Sequence, residues 1–315
     1  VRGRQLPDLA ADFRDPQTDR AAPMTMNAKD AMTDYPAARV VVDDATIGYD
    51  RRTISERLSV VIPDGSFTAI IGPNGCGKST LLRALARVLT PSTGAVLLDG
   101  KAIGSYKSKE VARRLGLLPQ ASLAPDGIRV ADLVARGRAP YQNLIQQWRA
   151  SDEEAVAAAL EATRLTELSG HLVDELSGGQ RQRVWVAMLL AQDTPIMLLD
   201  EPTTFLDIAH QYELMELFRN FHDEGKTIVS VLHDLSQAAR YADHLIVMRD
   251  GKVVTTGAPG DIITAELVES VFGLKALVAP DPVTGTPTVI PLDPRTTAVH
   301  PVEPNEAPQP QESIR

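Results

Sequence analysis

The nine residues Gly72-Pro73-Asn74-Gly75-Cys76-Gly77-Lys78-Ser79-Thr80 constrain this chain more than any other stretch. They follow the apolar run 67–71 and precede Leu81, Leu82 and Leu85 at helical spacing. That pattern predicts strand, glycine-rich turn and helix in succession. Glycines let successive backbone N–H groups curl around an anion without Cβ clashes. The helix behind them turns its positive dipole end and its unpaired N–H groups into the same space. Lys78 adds a charge for β- and γ-phosphate oxygens, and the Ser79 hydroxyl is an oxygen ligand for Mg²⁺. The stretch therefore reads as a nucleoside triphosphate site. A glycine-rich turn that fits by coincidence is the alternative, and the strand and helix flanks count against it.

At 315 residues the chain can form one large or two modest domains with a full core. Its net charge of −9 counts against nucleic acid as a partner, because such binders carry a basic excess. Cys76 is the only cysteine, so no intrachain disulfide can form and a reducing compartment is expected. The histidines show no pair at metal-ligand spacing. No apolar run approaches the ~18 residues that a membrane span needs. Arg2, Arg4, Asp8 and Asp12 interrupt the start of the chain, which is unlike a signal peptide.

Residues 1–37 are polar and proline-containing and read as a disordered leader. Strand patterns at 39–42, 45–49 and 58–62 follow, with a turn at 63–66, so the opening reads as antiparallel β. The helix after the phosphate loop is expected over 78–89, then a strand at 95–98 with a tight turn at Asp99-Gly100. From about 106 to 176 the composition turns helical. A short helix is expected over 111–115, an extended stretch over 117–120, and a helix from Val130 to near Gly137. Ser151 and Glu154 read as a capping box ahead of a face formed by Val156, Ala159, Leu160 and Thr163. An α/β core then resumes. A helix should run to about Gln192, buried strands occupy 196–199 and 227–232, and Leu214, Leu217, Phe218 and Phe221 mark the helix between them. A hairpin at 245–254, a helix over 261–273 and a small β appendage at 276–292 complete the ordered part. Residues 293–315, proline-rich and poor in large apolar side chains, read as a disordered tail.

Asp200 ends the buried strand 196–199, and Glu201 follows it. Ligands bind at strand C-termini of open α/β sheets. Asp200 there can hold Mg²⁺ through water, and Glu201 can polarise an attacking water. A pair of solvated loop carboxylates is the alternative. In Leu176-Ser177-Gly178-Gly179-Gln180, Ser177 is a natural N-cap and the two glycines expose N–H groups, which makes a second anion site by the same physics. An ordinary helix start with flexible glycines is the alternative.

Taken together, GPNGCGKST, LSGGQ and LLDEPTTFLD resemble the ATP-binding subunit of an ABC transporter over roughly residues 38–275. The resemblance implies a P-loop NTPase core with a mainly parallel sheet, an N-terminal antiparallel β subdomain and an inserted helical subdomain over about 106–176. It also implies further roles. Tyr49 matches the aromatic that stacks on adenine, against the alternative of a strand tyrosine packed in the core. Gln120 matches the glutamine that touches Mg²⁺ and the attacking water. Asp207 matches the residue that reaches across to a partner subunit, and His233 the histidine that contacts the γ-phosphate. The bound nucleotide would lie between residues 75–80 of one subunit and 177–180 of a second copy, in a head-to-tail ATP-sandwich dimer. Helix-end and lysine fields could lower the Cys76 pKa and make a thiol reagent block ATP binding; an inert small residue is the alternative.

Arg136-Gly137-Arg138-Ala139-Pro140-Tyr141, Leu206-Asp207-Ile208-Ala209-His210-Gln211, Gly257-Ala258-Pro259 and Asp281-Pro282-Val283-Thr284-Gly285 are similar to the importer ATPases for ferric siderophores, haem and cobalamin. That similarity implies separate membrane permease subunits, an indirect link to a substrate-binding protein, and a place on the cytoplasmic face of the membrane. Tyr141, Leu144, Ile145 and Trp148 either help form the groove for a permease helix or pack the helical subdomain. Two rivals remain in view. A soluble ABC ATPase acting on DNA or ribosomes would carry long heptad segments or a second ATP domain. A phosphotransferase of another family would not need LSGGQ.

Overall fold

A computed structural model describes residues 38–49, 52–120, 123–142, 148–204 and 206–293. The leader 1–37 and all of the tail beyond Asp293 lie outside the described residues, as do Phe205, Leu144 and Ile145.

The strands are β1 (Val40–Tyr49), β2 (Arg52–Ile62), β3 (Phe67–Ile71), β4 (Thr93–Leu98), β5 (Lys101–Ala102), β6 (Leu115–Leu118), β7 (Ile196–Asp200), β8 (Thr227–Val231), β9 (His244–Arg249), β10 (Lys252–Gly257), β11 (Ala276–Pro280) and β12 (Pro287–Pro291). The α-helices are α1 (Lys78–Leu85), α2 (Ser108–Ala112), α3 (Val130–Ala135), α4 (Ala150–Ala162), α5 (Gly178–Gln192), α6 (Ile208–Asp223), α7 (Leu235–Tyr241), α8 (Pro259–Ile262) and α9 (Ala265–Phe272).

A six-stranded sheet runs in the order β10-β9-β3-β8-β7-β6. All neighbours are parallel except β10, which closes a hairpin on β9. The antiparallel sheet β2-β1-β4-β5 is built from the opening strands, as the sequence pattern expects. Alternation along the central strands splits the core in two. Ile70, Ile196, Leu198, Val229 and Val231 face α1 and the antiparallel sheet. Met197, Leu199, Ile228, Leu245 and Val247 face α5, α6 and α7. Leu81, Leu82 and Leu85 of α1 are completely buried, each contributing about 2 kcal/mol.

Four local expectations are corrected. The helix α1 stops at Leu85 rather than Leu89, because Arg87 adopts a left-handed φ of +60° and Val88 and Leu89 turn their N–H groups back to Arg83 O. Leu115 is strand, not helix: β6 pairs in parallel with β7, so this piece of the 106–176 segment belongs to the central sheet. Ser151 lies inside α4 rather than capping it. Asp152 instead accepts the Arg149 N–H at 3.1 Å. The stretch 261–273 is two helices, broken where Thr264 caps α9 by accepting from Leu267 N–H at 3.1 Å.

The Arg136–Tyr141 segment is a 3₁₀ turn laid on α5. A Cβ on Gly137 would collide with Met188 O, which is why only glycine fits there. Arg138 is buried behind it. Its guanidinium donates to Asp152 Oδ1 at 2.8 Å and to Ala191 O at 2.9 Å, and stacks 4.1 Å from the Tyr141 ring centroid. For Tyr141, then, the contacts are those of helical packing. We predict that Asp152→Ala lowers unfolding free energy in urea by about 3–5 kcal/mol, because it strands a buried charge. Adding Arg138→Met should recover much of that loss. A single-variant loss below about 1 kcal/mol would contradict the assignment.

Candidate nucleotide site

The site is assembled at the C-terminal ends of β3, β6, β7 and β8. The loop 72–77 leaves β3 and enters α1 at Gly77. Gly72 has a φ of +152°, and a Cβ there would run into Met248 O, so the loop needs glycine to pass β9. Gly251 N–H donates to Cys76 O at 3.0 Å, which pins the loop to the β9–β10 turn. Lys78 is 5% exposed, and its Nζ donates to Gly72 O at 2.8 Å and Pro73 O at 3.0 Å. The ammonium is thus held over the loop that it follows. Asn74 and Gly75 stand exposed at the tip, while Thr80 is buried in the first turn of α1.

Asp200 shares its face of β7 with Ile196 and Leu198, both packed toward α1, so its carboxylate meets the start of that helix. Ser79 Oγ donates to Asp200 Oδ1 at 2.8 Å. Burial pushes the Asp200 carboxyl up, while the Ser79 hydrogen bond and the Arg83 charge pull against it. A hydroxyl and a carboxylate side by side are the hard oxygen donors that suit Mg²⁺, so the residues present fit that ion.

Glu201 leaves the strand with a left-handed φ of +53°. Its side chain is gripped on both oxygens. Gln120 Nε2 donates to Oε2 at 2.5 Å, Thr204 Oγ1 donates to the same oxygen at 3.3 Å, and His233 Nε2 lies 2.6 Å from Oε1. With Nε2 spent on Glu201, the Gln120 amide oxygen is the atom left for a cation. A cavity of about 200 Å³ opens beside this cluster, bordered by Glu201, Thr204, Gln211, His233 and Gln237.

Tyr49 ends β1 and is 40% exposed, which disposes of the core-packed alternative. Its phenol oxygen accepts from Arg83 Nη1 at 3.0 Å. Ser177 caps α5, accepting from Gln180 N–H at 3.3 Å, while Gln180 Oε1 accepts from Ser177 N–H at 3.0 Å. Gly178 is exposed, and Gln182 ties the same helix to Pro202 O at 3.2 Å. The polar contacts of Ser177 and Gln180 are thus local, apart from the cluster around Asp200. Asp207 caps α6: the His210 N–H and ring hold its carboxyl below the usual carboxylate range.

The expectation for Cys76 fails. The thiol is buried, and burial pushes its pKa up against the opposing pull of Lys78. Sequence reasoning also missed Arg83 and Thr204. Arg83 lies outside the quoted motifs, and Thr204 lies within LLDEPTTFLD but carries no role there; the contact of each is recognised by its distance to Asp200 or Glu201.

The family model described as "ABC transporter" matches residues 55–204. The ferric enterobactin transport ATP-binding protein FepC of Escherichia coli (strain K12) is 59% identical over 81% of this chain and 94% of its own length. The probable siderophore transport system ATP-binding protein YusV of Bacillus subtilis (strain 168) is 50% identical over 80% of this chain and 92% of its own. An inward-facing conformation of a putative metal-chelate type ABC transporter superposes with a TM-score of 0.69 at 27% identity, covering 81% of this chain and 98% of that one. A dimeric bacterial ABC transporter cassette superposes with a TM-score of 0.63 at 26% identity, covering 70% and 98%.

A maleimide should react with Cys76 in the native chain at least ~10-fold more slowly than in the urea-unfolded chain at neutral pH. Equal rates would contradict the burial of the thiol.

Proposed function

We infer that this chain, which belongs to the family of ABC transporter ATP-binding proteins, energises import of a ferric siderophore through separate permease subunits. The observation that carries the substrate class is the 59% identity with a ferric enterobactin ATPase along 94% of that protein. Relatives named for hydroxamate and petrobactin import are 43–49% identical, and those named for hemin import 40–41%. Haem is accordingly the second choice of cargo. No helix among the described residues is long and apolar enough to cross a membrane, which fits a subunit docked on a permease at the cytoplasmic face. Trp148 is 47% exposed and is a candidate contact for that permease.

The chain is an ATPase, and its residues suggest how it works. Tyr49 offers an exposed ring for adenine. The loop N–H groups, the α1 dipole and the Lys78 ammonium receive the phosphates. Ser79, Asp200 and the Gln120 amide oxygen would hold Mg²⁺. That ion, once bound, neutralises charge on the β- and γ-phosphate oxygens. Glu201 takes the role of general base, orienting a water against the γ-phosphate and accepting its proton. His233, 2.6 Å from Glu201, is the candidate to contact the γ-phosphate. The water oxygen bonds to the γ-phosphorus, and the bond to the β–γ bridging oxygen breaks, leaving ADP and phosphate.

Ser177, Gly178, Gly179 and Gln180 do not join this cluster in one chain, which favours their action on the nucleotide of a second copy. Its exposure at the start of α6 makes Asp207 a candidate for the same interface. ATP then links two chains, and loss of the γ-phosphate releases them, which gives the permease a two-state partner.

The Glu201→Gln chain should bind ATP, hydrolyse it about a hundredfold more slowly or worse, and persist as an ATP-held dimer in sedimentation. Turnover at the wild-type rate would overturn the role of Glu201. In cells, Lys78→Ala should abolish uptake of iron-loaded siderophore, and unimpaired uptake would remove the transport role.

A further inference from the structure

Arg83 lies one turn beyond Ser79 on α1, and the roles above leave it unused. Its side chain is 42% exposed, against 2% for Asp200. Nη1 donates to the Tyr49 phenol oxygen at 3.0 Å. Nε stands 4.0 Å from Asp200 Oδ2, while Ser79 holds the other oxygen, Oδ1, at 2.8 Å. One planar guanidinium thus hydrogen-bonds the Tyr49 phenol and faces the Asp200 carboxylate as an ion pair at 4.0 Å.

We propose that Arg83 is a positioning residue that fixes the Tyr49 ring for adenine and screens Asp200, so that base affinity and metal affinity are both set through one side chain. The inference rests on the nucleotide reading above. Tyr49 is exposed at the end of its strand, so core packing does not hold the ring. A charge-assisted hydrogen bond does, and a pre-set ring loses less entropy when a base stacks on it. The rigid fork of arginine can serve phenol and carboxylate at once, which a lysine ammonium cannot. At the other edge, a cation 4.0 Å from the carboxylate opposes a dication at the same place.

Removing the guanidinium therefore has effects of opposite sign. Nucleotide affinity without metal falls, and the additional affinity contributed by Mg²⁺ grows. A residue that merely supported α1 would not split the two.

The test is isothermal titration of the full chain with ATP, once in EDTA and once in excess Mg²⁺. Arg83→Met should raise Kd in EDTA about threefold or more, and widen the EDTA-to-Mg²⁺ ratio of Kd values by a similar factor. Arg83→Lys keeps the charge but loses the fork, so it should raise Kd in EDTA and leave the ratio at the wild-type value. Tyr49→Phe should do the same. The double variant Arg83→Met with Tyr49→Phe should bind no more weakly in EDTA than Arg83→Met alone. Either quantity unchanged in Arg83→Met, or additive effects in the double variant, would overturn the proposal. Tyr49→Ala separates the two levels: wild-type affinity in that variant would remove the adenine platform itself, while weakened affinity keeps the platform and leaves Arg83 to stand or fall on its own results.

Discussion

A hydrogen bond of 2.8 Å between Ser79 and Asp200 joins residues 121 positions apart and sets the geometry around which the site is built. It forms because two periodicities meet. Alternation along β7 turns Asp200 to the same face as Ile196 and Leu198, and that face packs on α1. The turn of α1 brings Ser79 around to it. Behind the pair, β3, β8, β7 and β6 lie side by side, and Gly72, His233, Glu201 and Gln120 all come within two residues of a strand end. The sheet order therefore delivers four separated pieces of sequence to one edge, where an open parallel sheet accommodates ligands.

Placing charged groups there has a cost that the fold absorbs. Lys78 is buried with its ammonium on loop carbonyls, and Asp200 is held at a raised pKa by its burial. Glu201 sits in a left-handed conformation that costs roughly 1–2 kcal/mol for a residue with a Cβ. Its carbonyl accepts the Thr204 N–H at 3.2 Å, so the turn that imposes the strain is itself hydrogen-bonded. The carboxylate that leaves this turn reaches Gln120 and His233, one from each neighbouring strand end. Pre-set side chains of this kind need little reorganisation when a nucleotide arrives.

Much of the fold is legible in the sequence because the strong signals are local. The apolar runs of β3, β7 and β8 are continuous, as strands buried on both faces require, and the phosphate loop announces its own flanks. Two of the errors are local, at Arg87 and Thr264, and two fall where a tertiary partner decides. Leu115 continues a helical pattern but is taken by β7, and Ser151 yields to an Asp152 that is anchored by Arg138. Cys76 was read from its fields, yet burial outweighs them. For the site, residue types at motif positions could be named in advance. The contacts of Arg83 with Asp200 and of Thr204 with Glu201 could not, since side-chain distances, and not residue types, reveal them.

The proposed mechanism needs a second copy, because the hydrogen bonds of Ser177 and Gln180 close on each other at the start of α5 and do not reach the cluster around Asp200. Complementation between two damaged chains tests that claim most directly. A Lys78→Ala chain keeps its LSGGQ but loses its phosphate loop, and a Ser177→Arg chain does the reverse. With Glu201→Gln added to both to prevent turnover, the account predicts that neither chain dimerises alone with ATP, whereas an equimolar mixture forms a mixed dimer holding one ATP. A mixture that stays monomeric under those conditions would contradict it.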